Sequence, residues 1–199
     1  MNWYLQDIER LEAKEVIKNK KKKIVFYGSS SFTRWESLEK TLTDFNAVNL
    51  GFGGSTLAAC TWFYKRVVPR QKPDAIIIYA GDNDLGDGRN PEEVVIFYYQ
   101  LINQIRQSLG NIPVCFLSIK PSPARFNLKG SIEFANKCIM ENIQLSADHL
   151  HYIDVYSKML DENGRVKGEL YDGDGLHLSP KGYELWQTEI MNKCYQLFK

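Results

Sequence analysis

The chain has 199 residues, of which 44% are hydrophobic and 25% charged, and its formal net charge is +1. That length suits one domain with a buried core. The near-neutral balance argues against a dedicated nucleic-acid-binding protein and says nothing about the charge of a substrate. No apolar run reaches the roughly 20 residues that a membrane-spanning helix needs.

The N-terminus lacks the apolar segment of a secretory signal peptide, which predicts a cytoplasmic protein. A chain from which a leader had been removed would look the same. The cysteines are scattered and form no CxxC pair, so we expect buried free thiols of a reducing compartment. A disulfide or a metal site is the alternative. The four residues are Cys60, Cys115, Cys138 and Cys194.

The N-terminal half begins with an amphipathic pattern that predicts a helix over residues 3–18, within a segment 1–20 that packs on the domain or extends from it. The lysines that follow, at 18 and 20–23, are typical of a solvated connection. A nucleic-acid or membrane patch is the less favoured reading. The next predicted elements are a strand at 24–27, a helix at 32–43, a strand at 47–50 and a helix at 56–66.

The C-terminal half continues the alternation of strands and helices. Pro91 suits the first turn of a helix, and Ser179 suits the cap of the closing helix. The predicted elements are strands at 75–79, 113–117 and 150–153, helices at 91–109 and 132–147, and a closing helix from Pro180.

This alternation predicts one domain over residues 1–199, with parallel strands covered by helices on both faces. Five strands favour a flavodoxin-like three-layer α/β/α sandwich. In such sheets the functional site lies at the carboxyl ends of the strands. The polar, glycine-rich segments fall at those ends, at 28–31, 51–54, 81–84 and 121–123.

The most informative pair is Asp174 and His177, on a glycine-containing turn before the last helix. A carboxylate three residues before a histidine can orient the imidazole and fix its tautomer, and such an imidazole can activate a serine hydroxyl. Asp172 is a rival carboxylate at a less suitable spacing. His149 and His151 flank a predicted strand without a suitable carboxylate, so we interpret them as edge or packing residues.

The candidate serine is Ser30, predicted where the first strand turns into a helix. This place would expose its hydroxyl and leave its backbone N–H near the helix start, as one donor to an oxyanion. Taken alone, the Ser29–Ser31 triplet reads better as a turn and helix cap.

Two further strand ends carry candidate oxyanion donors. Gly54 could offer its backbone N–H, with a simple tight turn as an equally good reading. Asn83 could offer its side-chain amide, although alone it reads as a loop-building residue. Asp82 and Asp84 read as carboxylates that build the loop, with metal ligation as a less favoured alternative because no metal-ligand spacing is present.

Together, these four segments resemble the motifs of the GDSL/SGNH hydrolase superfamily. Gly28-Ser29-Ser30 resembles its Gly-Asp-Ser block, Gly54 falls on its block-two glycine, Gly81–Asp84 matches GxND and Asp174–His177 matches DxxH. The resemblance spans residues 24 to about 190. Its last two motifs are specific and its first two are looser, and Ser29 stands where the family usually has Asp.

The resemblance implies a serine esterase with nucleophile Ser30, base His177 and orienting carboxylate Asp174. It also implies an oxyanion hole formed by Ser30, Gly54 and Asn83. Such chemistry needs no cofactor and no metal. The implied partner is a small-molecule ester, and a short chain without lid insertions favours short acyl groups such as acetyl, with carbohydrate esters as candidates.

Three matters stay open at this stage. Arg125 and Phe126, in the predicted rim loop 118–130, are candidate substrate contacts, although packing and solubility explain them equally well. A lysophospholipase or thioesterase of the same superfamily, or a non-catalytic binding protein on the same fold, is the alternative function. Homo-oligomer formation through the N-terminal helix and exposed aromatic residues is also open.

Overall fold

The computed structural model describes residues 1–17, 19–146 and 149–198. Its five strands form one sheet in which every neighbouring pair is parallel, in the order β2-β1-β3-β4-β5. This is the order of flavodoxin-like doubly wound sheets, so the predicted fold class is confirmed. The strands are β1 (Lys23–Gly28), β2 (Asn46–Gly51), β3 (Ala75–Tyr79), β4 (Val114–Leu117) and β5 (Leu150–Ile153).

Helices flank the sheet, and several short 3-10 turns join them to it, including one at Pro123–Leu128. The α-helices of the described residues are α1 (Leu5–Glu12), α2 (Ser30–Thr33), α3 (Leu38–Thr41), α4 (Leu57–Val67), α5 (Asp82–Gly86), α6 (Pro91–Leu109), α7 (Lys129–Leu145) and α8 (Pro180–Phe198). In the described part of the chain, no helix combines the length and apolar character needed to cross a membrane.

The sheet has a separate apolar core on each face because successive strand side chains point in opposite directions. Val25 and Tyr27 of β1 pack with α1, α4, α6 and α7, whereas Ile24 and Phe26 pack with α2, α3 and α8. A parallel sheet buried on both faces explains why its strands are continuous apolar runs.

The predicted N-terminal helix is too long. The structure has a 3-10 turn at Asn2–Tyr4 and then α1, which ends at Glu12. Ile17 is 54% exposed and does not continue the buried stripe of Ile8 and Leu11. β-Branched residues such as Ile17 also have lower helix propensity. Residue 18 lies outside the described residues.

The continuous helix predicted at 32–43 is wrong, because the structure has two short helices, α2 and α3, with a bend between them. Trp35 lies in the bend and is only 3% exposed. Its ring packs on Tyr183 of α8, with the ring centroids 5.1 Å apart. Burial of this large side chain favours the bend over a continuous helix.

The other predicted elements agree with the structure to within one residue, except that α7 begins three residues earlier, at Lys129, and that α5 forms a short helix where a polar loop was predicted. The predicted end of that helix, residue 147, lies outside the described residues. The hydroxyl of Ser179 accepts the N–H of Gly182 at 3.3 Å, as a cap of α8 should. All four cysteines are free, and Cys60, Cys115 and Cys194 are buried as predicted, whereas Cys138 is only half-buried.

Candidate active site

The carboxyl ends of the strands meet at one rim, and Ser30 begins α2 at the end of β1. Gly28 has a φ of +150°, and a Cβ there would lie 1.8 Å from the carbonyl oxygen of Tyr79. Only glycine allows this close approach of β3. The backbone N–H of Ser29 then donates to that Tyr79 oxygen at 2.9 Å, which fixes the chain immediately before Ser30.

The structure brings the two ends of the sequence together at Ser30. Its Oγ lies 3.3 Å from Nε2 of His177, and Nδ1 of the same ring lies 2.6 Å from Oδ2 of Asp174. An Nδ1–H that donates to the carboxylate leaves Nε2 as an acceptor for the serine hydroxyl. The three side chains therefore form a continuous chain of hydrogen bonds.

The Asp174–His177 turn is held by its own backbone. Oδ1 of Asp174 accepts the N–H groups of Leu176 and His177, both at 2.9 Å. Gly175 adopts a φ of +64°, and its carbonyl accepts the N–H of Ala124, which ties the turn to the segment after β4. The hydrogen bond to the His177 ring and these two N–H groups hold the pKa of Asp174 well below its usual range.

The rival residues take other positions. Asp172 has an exposed side chain, and its backbone N–H donates to the carbonyl of His177. His149 is exposed, and His151 lies within β5, paired in register with Cys115. Burial, followed by the nearby Lys193, lowers the pKa of His151. None of these rivals has a hydrogen bond to Ser30 in the described residues.

The segment after β2, which neighbours β1 in the sheet, carries Gly54. It adopts a φ of +66°, and a Cβ there would meet nothing, so its backbone conformation rather than crowding favours glycine. Its carbonyl accepts the hydroxyl of Tyr4 at 2.9 Å. Within the described residues, no acceptor is found for the backbone N–H of Gly54 or of Ser30.

Asn83 lies on α5, immediately after β3, and its amide is hydrogen-bonded on both sides. Nδ2 donates to the carbonyl of Ser55 at 3.1 Å, and Oδ1 accepts from Nη2 of Arg125 at 3.0 Å. These contacts tie α5 to the loop that carries Gly54. The two predicted oxyanion donors therefore belong to one connected structure.

Asp84 has the structural role predicted for it, but it lies on α5 rather than in a loop. Its Oδ2 accepts the N–H of Leu57 at 2.6 Å and its Oδ1 that of Ala58 at 3.4 Å, at the start of α4. Burial raises the pKa of Asp84 to about 6, although these two N–H groups and Arg89 oppose that shift. Among the described residues, no cluster of three or more histidine, cysteine or acidic side chains could hold a metal ion.

Beneath the rim lies a buried ion pair between Asp82 and Lys120, at 2.8 Å. Lys120 also donates to the hydroxyl of Tyr79 at 3.1 Å, and Arg125 lies 3.4 Å from the Asp82 carboxylate. Burial alone would raise the pKa of Asp82, but attraction to Lys120 and then Arg125 outweighs it and leaves the pKa lowered. The Asp82 carboxylate therefore stays ionised, and its contact with Lys120 fixes α5 against the segment after β4.

Ser29, Phe126 and Arg125 differ in their burial and in their polar contacts. Ser29 is 1% exposed, and its Oγ has no hydrogen-bond partner among the described residues. Its side chain therefore makes no polar contact to the loop. Phe126 is 53% exposed, so it stays available as the predicted substrate contact. The guanidinium of Arg125 instead contacts Asp82 and Asn83, with 19% of the side chain exposed.

Sequence reasoning missed Tyr4 as a residue that contacts the site. Tyr4 lies outside every motif, and no local pattern marks it. It also did not foresee that Arg125 would bond to Asn83. The sequence did contain one indication of this contact, because Asn83 and Arg125 both belong to segments predicted at the carboxyl ends of the strands.

Solved structures that share the fold include a GDSL-like lipase from Bacteroides thetaiotaomicron (TM-score 0.79, 20% identity, 97% of each chain covered). A carbohydrate esterase family 3 protein from Talaromyces cellulolyticus has a TM-score of 0.74 at 18% identity, over 88% of this chain and 97% of that one. A lipase/acylhydrolase from Enterococcus faecalis has a TM-score of 0.66 at 22% identity, over 86% and 94%.

A curated relative, the N-acylneuraminate cytidylyltransferase of Escherichia coli O18:K1:H7 (strain RS218 / NMEC), is 24% identical over 173 residues. The match covers 84% of this chain but only 39% of that protein. The family model described as GDSL-like lipase/acylhydrolase matches residues 24–185, which is most of the chain and includes all four motif segments. The chain therefore belongs to the GDSL-like lipase/acylhydrolase family.

Proposed function

We propose that this protein is a serine esterase that hydrolyses carboxylic esters through a covalent acyl-enzyme. The observation that carries the proposal is the hydrogen-bond chain from Ser30 through His177 to Asp174, with separations of 3.3 and 2.6 Å. This is the arrangement of nucleophile, base and orienting group that acyl transfer requires. Its position at the carboxyl rim of the sheet leaves the serine accessible to a substrate.

In the first step, Oγ of Ser30 attacks the ester carbonyl carbon while Nε2 of His177 takes the hydroxyl proton. The ionised Asp174 stabilises the imidazolium that forms. The negative charge on the former carbonyl oxygen is stabilised by the backbone N–H groups of Ser30 and Gly54 and by the Nδ2 amide of Asn83. His177 then donates its proton to the departing alcohol.

In the second step, water takes the place of the alcohol. Nε2 of His177 accepts a proton from the water, which attacks the acyl carbon bound to Ser30. The same N–H donors stabilise the second oxyanion, and its collapse releases the carboxylic acid and returns the proton to Oγ. The residues of this chain supply every proton transfer, so the cycle balances without a cofactor.

For the substrate, we propose a short-chain acyl ester such as acetyl, with a carbohydrate as the alcohol. The segments that follow β2 and β3 are short, at 52–56 and 80–81, which favours a small acyl group. Similarity to a carbohydrate esterase supports the choice of alcohol. The curated relative is named for N-acylneuraminate, which makes an acetylated neuraminate a second alcohol to test.

The test is a series of p-nitrophenyl esters of rising acyl length, measured beside Ser30→Ala. We expect rates to fall with chain length, and we expect Ser30→Ala to lose about 10⁴-fold or more of kcat. Ser37→Ala, at an exposed serine seven residues further on, is the matched control. Full activity in Ser30→Ala would refute the proposal, and absence of turnover at every length would favour a binding protein.

A second series separates the alcohols. Acetylated xylose, O-acetylated neuraminate, a lysophospholipid and an acyl thioester are compared at equal concentration by acid release. A preference for either acetylated sugar supports the proposed substrate. A preference for the lysophospholipid or the thioester would overturn it while leaving the serine mechanism in place.

A further inference from the structure

Arg125 contacts the proposed oxyanion hole from behind. Its Nη1 donates to the carbonyl of Asp82 at 2.7 Å and its Nη2 to Oδ1 of Asn83 at 3.0 Å. The same Nη1 lies 3.4 Å from the Asp82 carboxylate. The planar guanidinium therefore spans two successive residues of α5 with two parallel donors, a geometry that lysine cannot reproduce.

These contacts determine which way the Asn83 amide faces. A guanidinium can only donate, so the amide atom that meets Arg125 must be the acceptor Oδ1. The reversed amide would place two donors 3.0 Å apart at Arg125 and two carbonyl oxygens 3.1 Å apart at Ser55. Because both contacts would then be repulsive, the orientation with Nδ2 away from Arg125 is strongly favoured.

Nδ2 of Asn83 has two hydrogens, and one is donated to Ser55. Within the described residues, no second acceptor is found for this amide. We propose that Arg125 is a positioning residue: it fixes the Asn83 amide so that the remaining N–H points at the oxyanion. This inference rests on the proposed esterase function, and it replaces the direct substrate contact predicted for Arg125 from the sequence.

The guanidinium of Arg125 is restrained by contacts on two sides. A Cβ at Gly86 would lie 2.8 Å from Cζ and 2.9 Å from Nε of Arg125, so the guanidinium packs directly on the glycine backbone. On the other side, the buried Asp82 is already paired with Lys120. Because Lys120 provides charge for Asp82, the contact of Arg125 with Asn83 is not needed merely to neutralise that carboxylate.

The first test is a double-mutant cycle with Arg125→Ala, Asn83→Ala and the double variant, in which kcat and KM are measured separately on p-nitrophenyl acetate. We expect Arg125→Ala to lower kcat about tenfold or more, below the roughly 10²- to 10³-fold loss for a missing oxyanion donor. We expect KM to change by less than about threefold. In the Asn83→Ala background, loss of Arg125 should change kcat by less than about twofold.

An equal loss in both backgrounds would show that Arg125 acts independently of Asn83 and would overturn the proposal. A rise confined to KM would do the same, because it would identify a substrate contact. Arg165→Ala removes an exposed arginine elsewhere on the surface and is the matched control. Arg125→Lys keeps the charge but loses the two parallel donors of the guanidinium. Wild-type kcat in this variant would therefore also refute the positioning role.

The second test does not depend on the folding of Arg125→Ala, and its spectral measurement needs no activity. Gly86→Ala keeps the arginine but forces the guanidinium to move, and we expect it to reproduce the loss of kcat. In ¹⁵N–¹H spectra without substrate, the side-chain amide of Asn83 is identified by its absence in Asn83→Ala. We expect this signal to shift in Gly86→Ala and Arg125→Lys and to stay unchanged in Arg165→Ala.

These outcomes separate the two proposals. An Asn83 amide signal that is unmoved by Gly86→Ala and Arg125→Lys overturns the positioning role, whatever the esterase activity. Full activity of Ser30→Ala refutes the serine mechanism instead, and the spectra still report whether Arg125 controls Asn83.

Discussion

The two parts of the candidate site, the Asp174–His177 turn and the segments that carry Gly54 and Asn83, are held in place in different ways. On the base side, Asp174 and His177 are three residues apart, and the turn between them supplies its own hydrogen bonds. On the proposed oxyanion side, the contacts that hold Gly54 and Asn83 join residues 28 to 50 positions apart in the chain. The base side is therefore local, because a short motif encodes it. The proposed oxyanion side is assembled, because it depends on the packing of segments far apart in the chain.

The largest expected effect breaks the local side. Asp174→Asn can still accept the two backbone N–H groups of the turn, but its NH₂ group no longer accepts the Nδ1–H of His177. The imidazole then loses its orientation and tautomer, and we expect kcat to fall about 10⁴-fold with little change in thermal unfolding. The measurement is kcat on p-nitrophenyl acetate together with the unfolding midpoint.

Asp172→Asn is the matched control, because it changes an exposed carboxylate of the same turn. We expect it to keep wild-type activity. Equal losses in the two variants would show that the charge of the turn, rather than the Asp174–His177 hydrogen bond, controls the reaction.

The next effect breaks the assembled side. Asn83→Ala removes one proposed oxyanion donor, and we expect kcat to fall about 10²- to 10³-fold while KM changes little. Steady-state kinetics measures both constants. Asn90→Ala is the control, because Asn90 caps α6 by a capping box and its loss should reduce stability but spare kcat. A loss of similar size in both variants would indicate a general effect on folding.

The same contrast explains how much could be predicted from the sequence. Residue type and local spacing are enough to predict Asp174 and His177 as a pair, whereas Ser30 is predicted only through the family resemblance, because its serine triplet alone reads as a turn and helix cap. The bend at Trp35 could not be predicted, because helical periodicity does not report which side chain a distant helix will bury. The contacts of Tyr4 and Arg125 could not be predicted either, since each depends on the packing of segments far apart in the chain.

A third prediction concerns Asp84, which fixes the start of α4 behind Gly54. Burial raises the pKa of Asp84 from its ordinary 3.8 to about 6. The folded protein then binds this proton more tightly than the unfolded chain. The resulting stabilisation is present below about pH 4 and is lost as the pH rises through about 6.

We therefore compare the free energy of unfolding of the wild type with that of Asp84→Asn by urea denaturation between pH 4 and 7.5. The wild-type value minus the variant value should fall by about 3 kcal/mol as the pH rises, from a shift of about two pKa units. Asp87→Asn removes the same charge from an exposed position on the following turn. The same pH dependence in both variants would contradict a special role for burial at Asp84.

The smallest expected effect sharpens the comparison most, because it concerns a residue outside the matched family region 24–185. The ring of Tyr4 packs edge-on against Phe52, with centroids 5.4 Å apart, and its hydroxyl donates to Gly54. Tyr4→Phe keeps the packing and removes only the hydrogen bond. A net hydrogen bond contributes about 0.5–1.5 kcal/mol, so we expect a stability loss of that size and a fall in kcat of about two- to tenfold.

Tyr99→Phe is the matched control for Tyr4→Phe, since Tyr99 is 41% exposed on α6. Kinetics and urea denaturation of the two variants separate a role in the site from a role in the fold. One outcome is that kcat falls together with stability in Tyr4→Phe while Tyr99→Phe keeps its kcat. That result would show that the N-terminal segment helps to hold the assembled side of the site. Loss of stability with unchanged kcat would mean that Tyr4 supports the fold alone, and that the loop around Gly54 keeps its conformation without it.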